Sequence, residues 1–170
     1  NQLDVRAGTP PSVTVFITRL HRIGKLTELS AFWREWEILF TRLTESHTTL
    51  PALVFFRAPR SDRSWITAAG SVLDAAAFMR STVAVPQDPQ ADLCIRAGFL
   101  CLQAIADYFA LDYPAAPNFP ANSISITRAE YDAVCDELLA IGAPLHADRE
   151  QTWRDFAGWR VNYDAALIQL

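Results

Sequence analysis

Helix punctuation limits what this chain can fold into more than any other feature. Three cap signals stand directly before helical runs: Asp88-Pro89, Thr127-Arg128-Ala129-Glu130 and Asp148-Arg149-Glu150-Gln151. A short side-chain oxygen at the cap satisfies an orphan N–H, and a proline in the first turn surrenders no hydrogen bond. A threonine followed three residues later by glutamate closes a capping box. Gly24 and Gly142 stand where runs end. Only 6 glycines occur in 170 residues, too few for an all-β chain full of tight turns. The reading is all-α, a single-domain bundle of about six helices. Pro114, Pro117 and Pro120 mark a crossover loop over 111–125.

The segments follow from apolar spacing. Thr9-Pro10-Pro11 reads as a cap and first turn opening a helix to about Arg22. A second helix runs from about Leu29 to His47, with Phe32, Trp36, Leu39, Phe40 and Leu43 as its apolar stripe. The run Leu50 to Phe56, interrupted by Pro51, reads as a short helix or extended linker. Ser61 or Asp62 caps a third helix to about Val83, rich in small residues that let helices approach closely. The fourth, from Asp88-Pro89 to about Phe109, is apolar nearly all round, with Arg96, Gln103 and Asp107 on one stripe. It is expected to be the central, most buried helix. Trp153, Phe156, Tyr163, Leu167 and Leu170 mark the inner face of the last.

Composition excludes several classes. The chain is 51% hydrophobic and 20% charged, which argues against disorder. A net charge of −4 disfavours nucleic acid as a partner. The charge is uneven: residues 1–63 hold 9 basic against 6 acidic side chains, and residues 64–170 hold 6 against 13. A basic N-terminal third suits an anionic membrane surface. Cys94, Cys101 and Cys135 lack a framework spacing and read as free thiols of a reducing compartment. The longest apolar stretch, Trp65 to Val85, carries Asp74 and Arg80 and is no spanning helix. A start at Asn1 reads as a fragment or processed product.

Catalytic signals are absent. His21, His47 and His146 have no metal-ligand spacing. Gly70-Ser71-Val72-Leu73 lacks the second glycine of a nucleophile elbow. Asp132, Asp136 and Glu137 read as a solvated face. No cofactor, metal or enzymatic activity is expected. Two features rise above background. Arg57, Arg60 and Arg63 cluster before and at a helix N-terminus, a pattern that suits an anion: phosphate, nucleotide or lipid headgroup. Arg160 falls inside the apolar stripe of the last helix, with Asp164 one turn on and Trp159 or Tyr163 to stack against. Trp65, Arg96, Asp107, Trp153, Phe156, Trp159, Arg160, Tyr163 and Asp164 are the residues expected to hold the fold together.

Three longer strings belong together: Leu3 through Ser12, Glu45-Ser46-His47 through Phe55-Phe56-Arg57 to Ser64-Trp65, and Trp153 through Asp164. In combination they resemble the cytoplasmic C-terminal domain that follows the pore helices in bacterial two-helix, potassium-channel-like membrane proteins. The resemblance covers most of the chain. It implies a non-catalytic regulatory or assembly domain on the cytoplasmic side of the inner membrane, self-associating with the pore of the full-length protein. Residues 1–27 would then be a membrane-proximal linker and short helix, and 28–170 the helical core. The exposed faces of the third and last helices are the expected self-association surfaces. No Thr-Val-Gly-Tyr-Gly filter occurs in this chain, so conduction would belong to other residues. The alternative is a free-standing helical sensor that binds an anion through Arg57, Arg60 and Arg63.

Overall fold

A computed structural model describes residues 12–46 and 65–170. Among these residues it is an all-α bundle with six helices: α1 Val13–Arg22, α2 Ser30–Glu45, α3 Trp65–Ser81, α4 Pro89–Tyr108, α5 Arg128–Ala140 and α6 Arg149–Gln169. Among the described residues the only β pairing is an isolated antiparallel bridge, Val83 with Leu145. Ala84 N donates to Pro144 O at 2.8 Å and His146 N to Thr82 O at 2.9 Å. These bonds pin the turn after α3 to the turn before α6.

The caps set the helix starts. Asp88 Oδ1 accepts from Gln90 N at 3.0 Å, with Pro89 opening α4. Thr127 and Glu130 form the reciprocal box of α5. Asp148 Oδ1 accepts from Gln151 N at 3.0 Å. Each such cap contributes about 1 kcal/mol. Gly142 stops α5 with φ 77°, a conformation that strains any residue bearing a Cβ. At the other end of the chain, Ser12 is extended (φ −140°, ψ 137°) and α1 begins at Val13, while the expected cap Thr9-Pro10-Pro11 lies outside the described residues. Helix α2 ends at Glu45, short of His47. The run 50–56 and the caps Ser61 and Asp62 lie outside the described residues.

Helix α3, not α4, is the central helix. Every residue of α3 is buried or half-buried, and α1, α4 and α6 pack on it. Its small side chains allow this. A Cβ on Gly98 of α4 would stand 2.3 Å from Leu73 Cδ2, so any larger residue there would force the buried Leu73 side chain to move. Helix α4 touches α2, α3 and α6 but keeps an outer line open, with Leu93 49% and Leu100 42% exposed. On α2, Leu39 faces outward and Trp33 is buried instead. One residue turns a helix by about 100°, so Leu39 and Phe40 cannot both face α4. The first helix packs into the core: Phe16, Ile17 and Leu20 are all buried, against α3 and α5.

Two aromatic clusters fill the interior. Phe16 of α1 meets Phe32 and Trp33 of α2, at centroid distances of 5.5 and 5.9 Å. Tyr131 of α5 meets Phe78 of α3 and Phe156 of α6, at 5.6 and 5.4 Å. Phe119 of the crossover loop packs edge-on against Trp153 at 5.8 Å. Such rings dominate core burial and favour tilted over stacked contacts.

Candidate functional site

Asp74 is the one charged residue between Trp65 and Met79, set in an apolar, small-residue stretch of α3. A carboxylate there needs a partner, and α6 supplies one in Arg160. The Arg160 side chain is 5% exposed. Its Nε donates to Asp164 Oδ1 at 2.7 Å, Nη1 donates to Asp74 Oδ1, and Nη2 donates to Ser125 Oγ at 3.1 Å. The Tyr163 hydroxyl donates to the same Asp74 Oδ1 at 2.9 Å. Ser125 of the crossover loop donates to Asp164 twice, from N at 2.9 Å and from Oγ at 2.6 Å. The guanidinium lies over the Tyr163 ring, 5.2 Å from its centroid. One polar hub thus joins α3, α6 and the loop.

The hub is unbalanced, with one guanidinium facing two carboxylates. Burial raises the Asp74 pKa, against the opposing charge of Arg160 and the hydrogen bonds from Arg160 and Tyr163, and Asp164 raises it further. Burial also acts to lower the Arg160 pKa, but Asp74, Tyr163 and Asp164 outweigh it and the guanidinium stays charged. Burial first, then Asp74, pushes the Tyr163 phenol well above its ordinary value.

Asp74 also lines a pocket of about 200 Å³. Phe78, Ile126, Tyr131, Val134 and Phe156 make its apolar walls, and Val13 of α1 and Glu130 of α5 also line it. Glu130 is held ionised: hydrogen bonds from the Thr127 backbone and hydroxyl lower its pKa. The Tyr131 wall is fixed, because its hydroxyl donates to Thr152 Oγ1 at 2.8 Å and lies 2.8 Å from Thr82 Oγ1. Both partners of Asp74 address Oδ1, and Oδ2 has no hydrogen-bond partner among the described residues. The Asp74 side chain keeps 18% of its surface exposed.

The residues singled out from sequence separate into three groups. Trp153, Phe156, Arg160, Tyr163 and Asp164 are buried together on α6, and Arg160 stacks on Tyr163, not Trp159. Trp159 and Trp65 are half-buried and pack against the core. Arg96 and Asp107 are exposed on α4. Arg96 lies over Phe99, and Asp107 accepts from the Tyr113 hydroxyl at 2.7 Å, tying α4 to the crossover loop. Arg57, Arg60 and Arg63 lie outside the described residues. The acidic positions on α5 are partly paired: Asp132 with Arg128 at 3.0 Å, and Asp136 with Arg149 at 2.6 Å. Asp74 and Ser125 were missed, although a lone aspartate in an alanine-rich helix is itself a signal of a buried partner. The three cysteines are free and buried. No helix among the described residues is long and apolar enough to cross a membrane, and they hold no cluster of three metal-ligating side chains.

No family model matches the chain, and neither a curated protein nor a solved structure matches it significantly.

Proposed function

We propose that this chain is a non-catalytic regulatory and assembly domain of a potassium-channel-like membrane protein, held at the cytoplasmic face of the inner membrane. One observation carries the reading. The closing string that contributes to the resemblance, Trp153 through Asp164, is also the stretch on which the fold turns, since Trp153, Phe156, Arg160, Tyr163 and Asp164 are buried and all five join other elements of the bundle. A resemblance seated on such residues concerns the fold itself and not a surface accident. The basic N-terminal third would face the anionic leaflet.

Assembly needs a surface. No residue of helix α3 is more than half-exposed, so it offers the smaller of the two faces expected to self-associate. The outer face of α6 remains, and α4 adds Leu93 and Leu100, two turns apart and exposed. Light scattering of the purified domain from micromolar to millimolar concentration is expected to show an oligomer. A strict monomer throughout would remove the assembly role. The coding sequence upstream of Asn1 tests the wider reading. Two spanning helices bracketing a glycine-rich filter are expected, and their absence would leave the Arg57, Arg60 and Arg63 anion sensor as the leading alternative.

A further inference from the structure

The pocket and the hub meet at Asp74, and that junction carries an inference of its own. The hub holds one more negative charge than positive, and a buried charge without a counter-charge is costly. The surplus lies next to a cavity: Asp74 lines the pocket, and its Oδ2 has no hydrogen-bond partner among the described residues. Glu130, whose carboxylate is bonded to Thr127, also lines the pocket, and no lysine, arginine or histidine is among the described lining residues. The remaining walls are aromatic or aliphatic. An enclosed apolar cavity of about 150 Å³ accepts benzene, so the roughly 200 Å³ here has room for one ring and a short substituent.

We propose that this pocket is a binding site for a small organic cation: a protonated primary amine on an apolar body about the size of a benzene ring. The ammonium would donate to Asp74 Oδ2 and neutralise the surplus charge of the hub. The ring would fill the space between Phe78, Val134 and Phe156. The site discriminates by charge, because a neutral isostere fills the same walls and can give Oδ2 only a neutral hydrogen bond, leaving the surplus charge of the hub uncompensated. A hydrogen bond to a charged group is strong enough that tenfold or greater preference for the amine is expected. The proposal rests on the pocket alone and does not require the channel reading.

The probes are benzylamine and benzyl alcohol, which match in shape and differ in charge. Isothermal titration of the purified chain at neutral pH is expected to show benzylamine binding at least about tenfold tighter than benzyl alcohol. At ten times its dissociation constant the amine should raise the melting temperature by roughly 3–5 °C. Asp74→Asn keeps an oxygen for Arg160 and Tyr163 and should abolish the preference, so that both probes bind alike. Val134→Phe fills the cavity from α5 and should remove both probes while circular dichroism stays native. The proposal is overturned by equal binding of the two probes to the parent chain, or by no binding of either at about 50 mM. It is equally overturned by a preference that survives in Asp74→Asn, or by amine binding that persists in folded Val134→Phe.

Discussion

Replacing Arg160 with methionine removes the single cation of the hub and keeps much of the side chain's volume. Three hydrogen bonds disappear, to Asp164, Asp74 and Ser125. Asp74 keeps only the Tyr163 hydroxyl, and Asp164 keeps the two donors of Ser125. Two carboxylates then face each other without a counter-charge, in a site where the Asp164 side chain is 6% exposed. Removing one partner of a buried ion pair costs about 3–5 kcal/mol. With a urea slope of about 2 kcal/mol/M, the unfolding midpoint should fall by roughly 1.5–2.5 M at neutral pH. The loss should also depend on pH. Burial already raises the folded-state pKa of Asp74, and losing the opposing charge of Arg160 raises it further. Ionisation of Asp74 then destabilises the fold as pH rises through that raised value, and the deficit is largest at neutral pH. Acidification protonates Asp74 and should narrow the gap to the parent chain. Adding Asp74→Asn should recover part of it. Urea melts at neutral pH and near pH 4 measure both effects. A loss under about 1 kcal/mol, or one that does not change with pH, would refute the reasoning, because buried uncompensated charge is its whole source.

Three further outcomes are expected. Gly98→Ala puts a methyl 2.3 Å from Leu73 Cδ2 and should cost about 1–3 kcal/mol, seen as a lower melting temperature that Leu73→Ala partly restores through non-additive coupling. Thr127→Ala breaks the box that Glu130 N and the Glu130 carboxylate share with it, and should cost about 1 kcal/mol in a urea melt. Burial pushes the Cys101 thiol up to about 11 and raises Cys94 and Cys135 as well. A thiol reagent at mildly alkaline pH should therefore react fully only after denaturant is added. Prompt reaction of the folded chain would show that those positions open to solvent.

Helix existence was legible because caps act locally. Asp88, Thr127 and Asp148 each bond within three residues of themselves, so a short window of sequence contains the cause. Which helix lies at the centre was not legible. Both α3 and α4 are largely apolar on paper, and centrality depends on how closely neighbours approach. That depends on pairs such as Leu73 over Gly98 and Leu167 over Gly70, which are far apart in sequence. The hub shows the same divide. Arg160 and Asp164 are one turn apart and could be paired from spacing alone. Asp74 comes from 86 residues away, and Ser125 comes from a proline-rich loop with no period to read. The pocket was invisible for the same reason, since its walls come from four helices and a loop.

Because Asp74 belongs to both hub and pocket, occupancy and protonation should be linked. A proton on Asp74 and an ammonium at Oδ2 compete for the same negative charge. Burial raises the Asp74 pKa, so the competition is displaced upward from the ordinary aspartate range. Amine affinity should therefore be weak at acid pH, rise as pH passes through the folded pKa of Asp74, and level off once the carboxylate is ionised. The other groups at the junction do not mask this rise. The Glu130 pKa is lowered, and those of Arg160 and Tyr163 are raised. Asp164 is held by Arg160 and Ser125 and does not line the pocket. By reciprocity, bound amine should lower the apparent pKa of Asp74 by the same free energy. Repeating the benzylamine titration at several pH values between about 4 and 7 measures this, with Asp74→Asn as the flat reference. A parent chain as flat as that variant would mean that the amine does not read the charge on Asp74. Neutralising the hub would then be no part of what the pocket does.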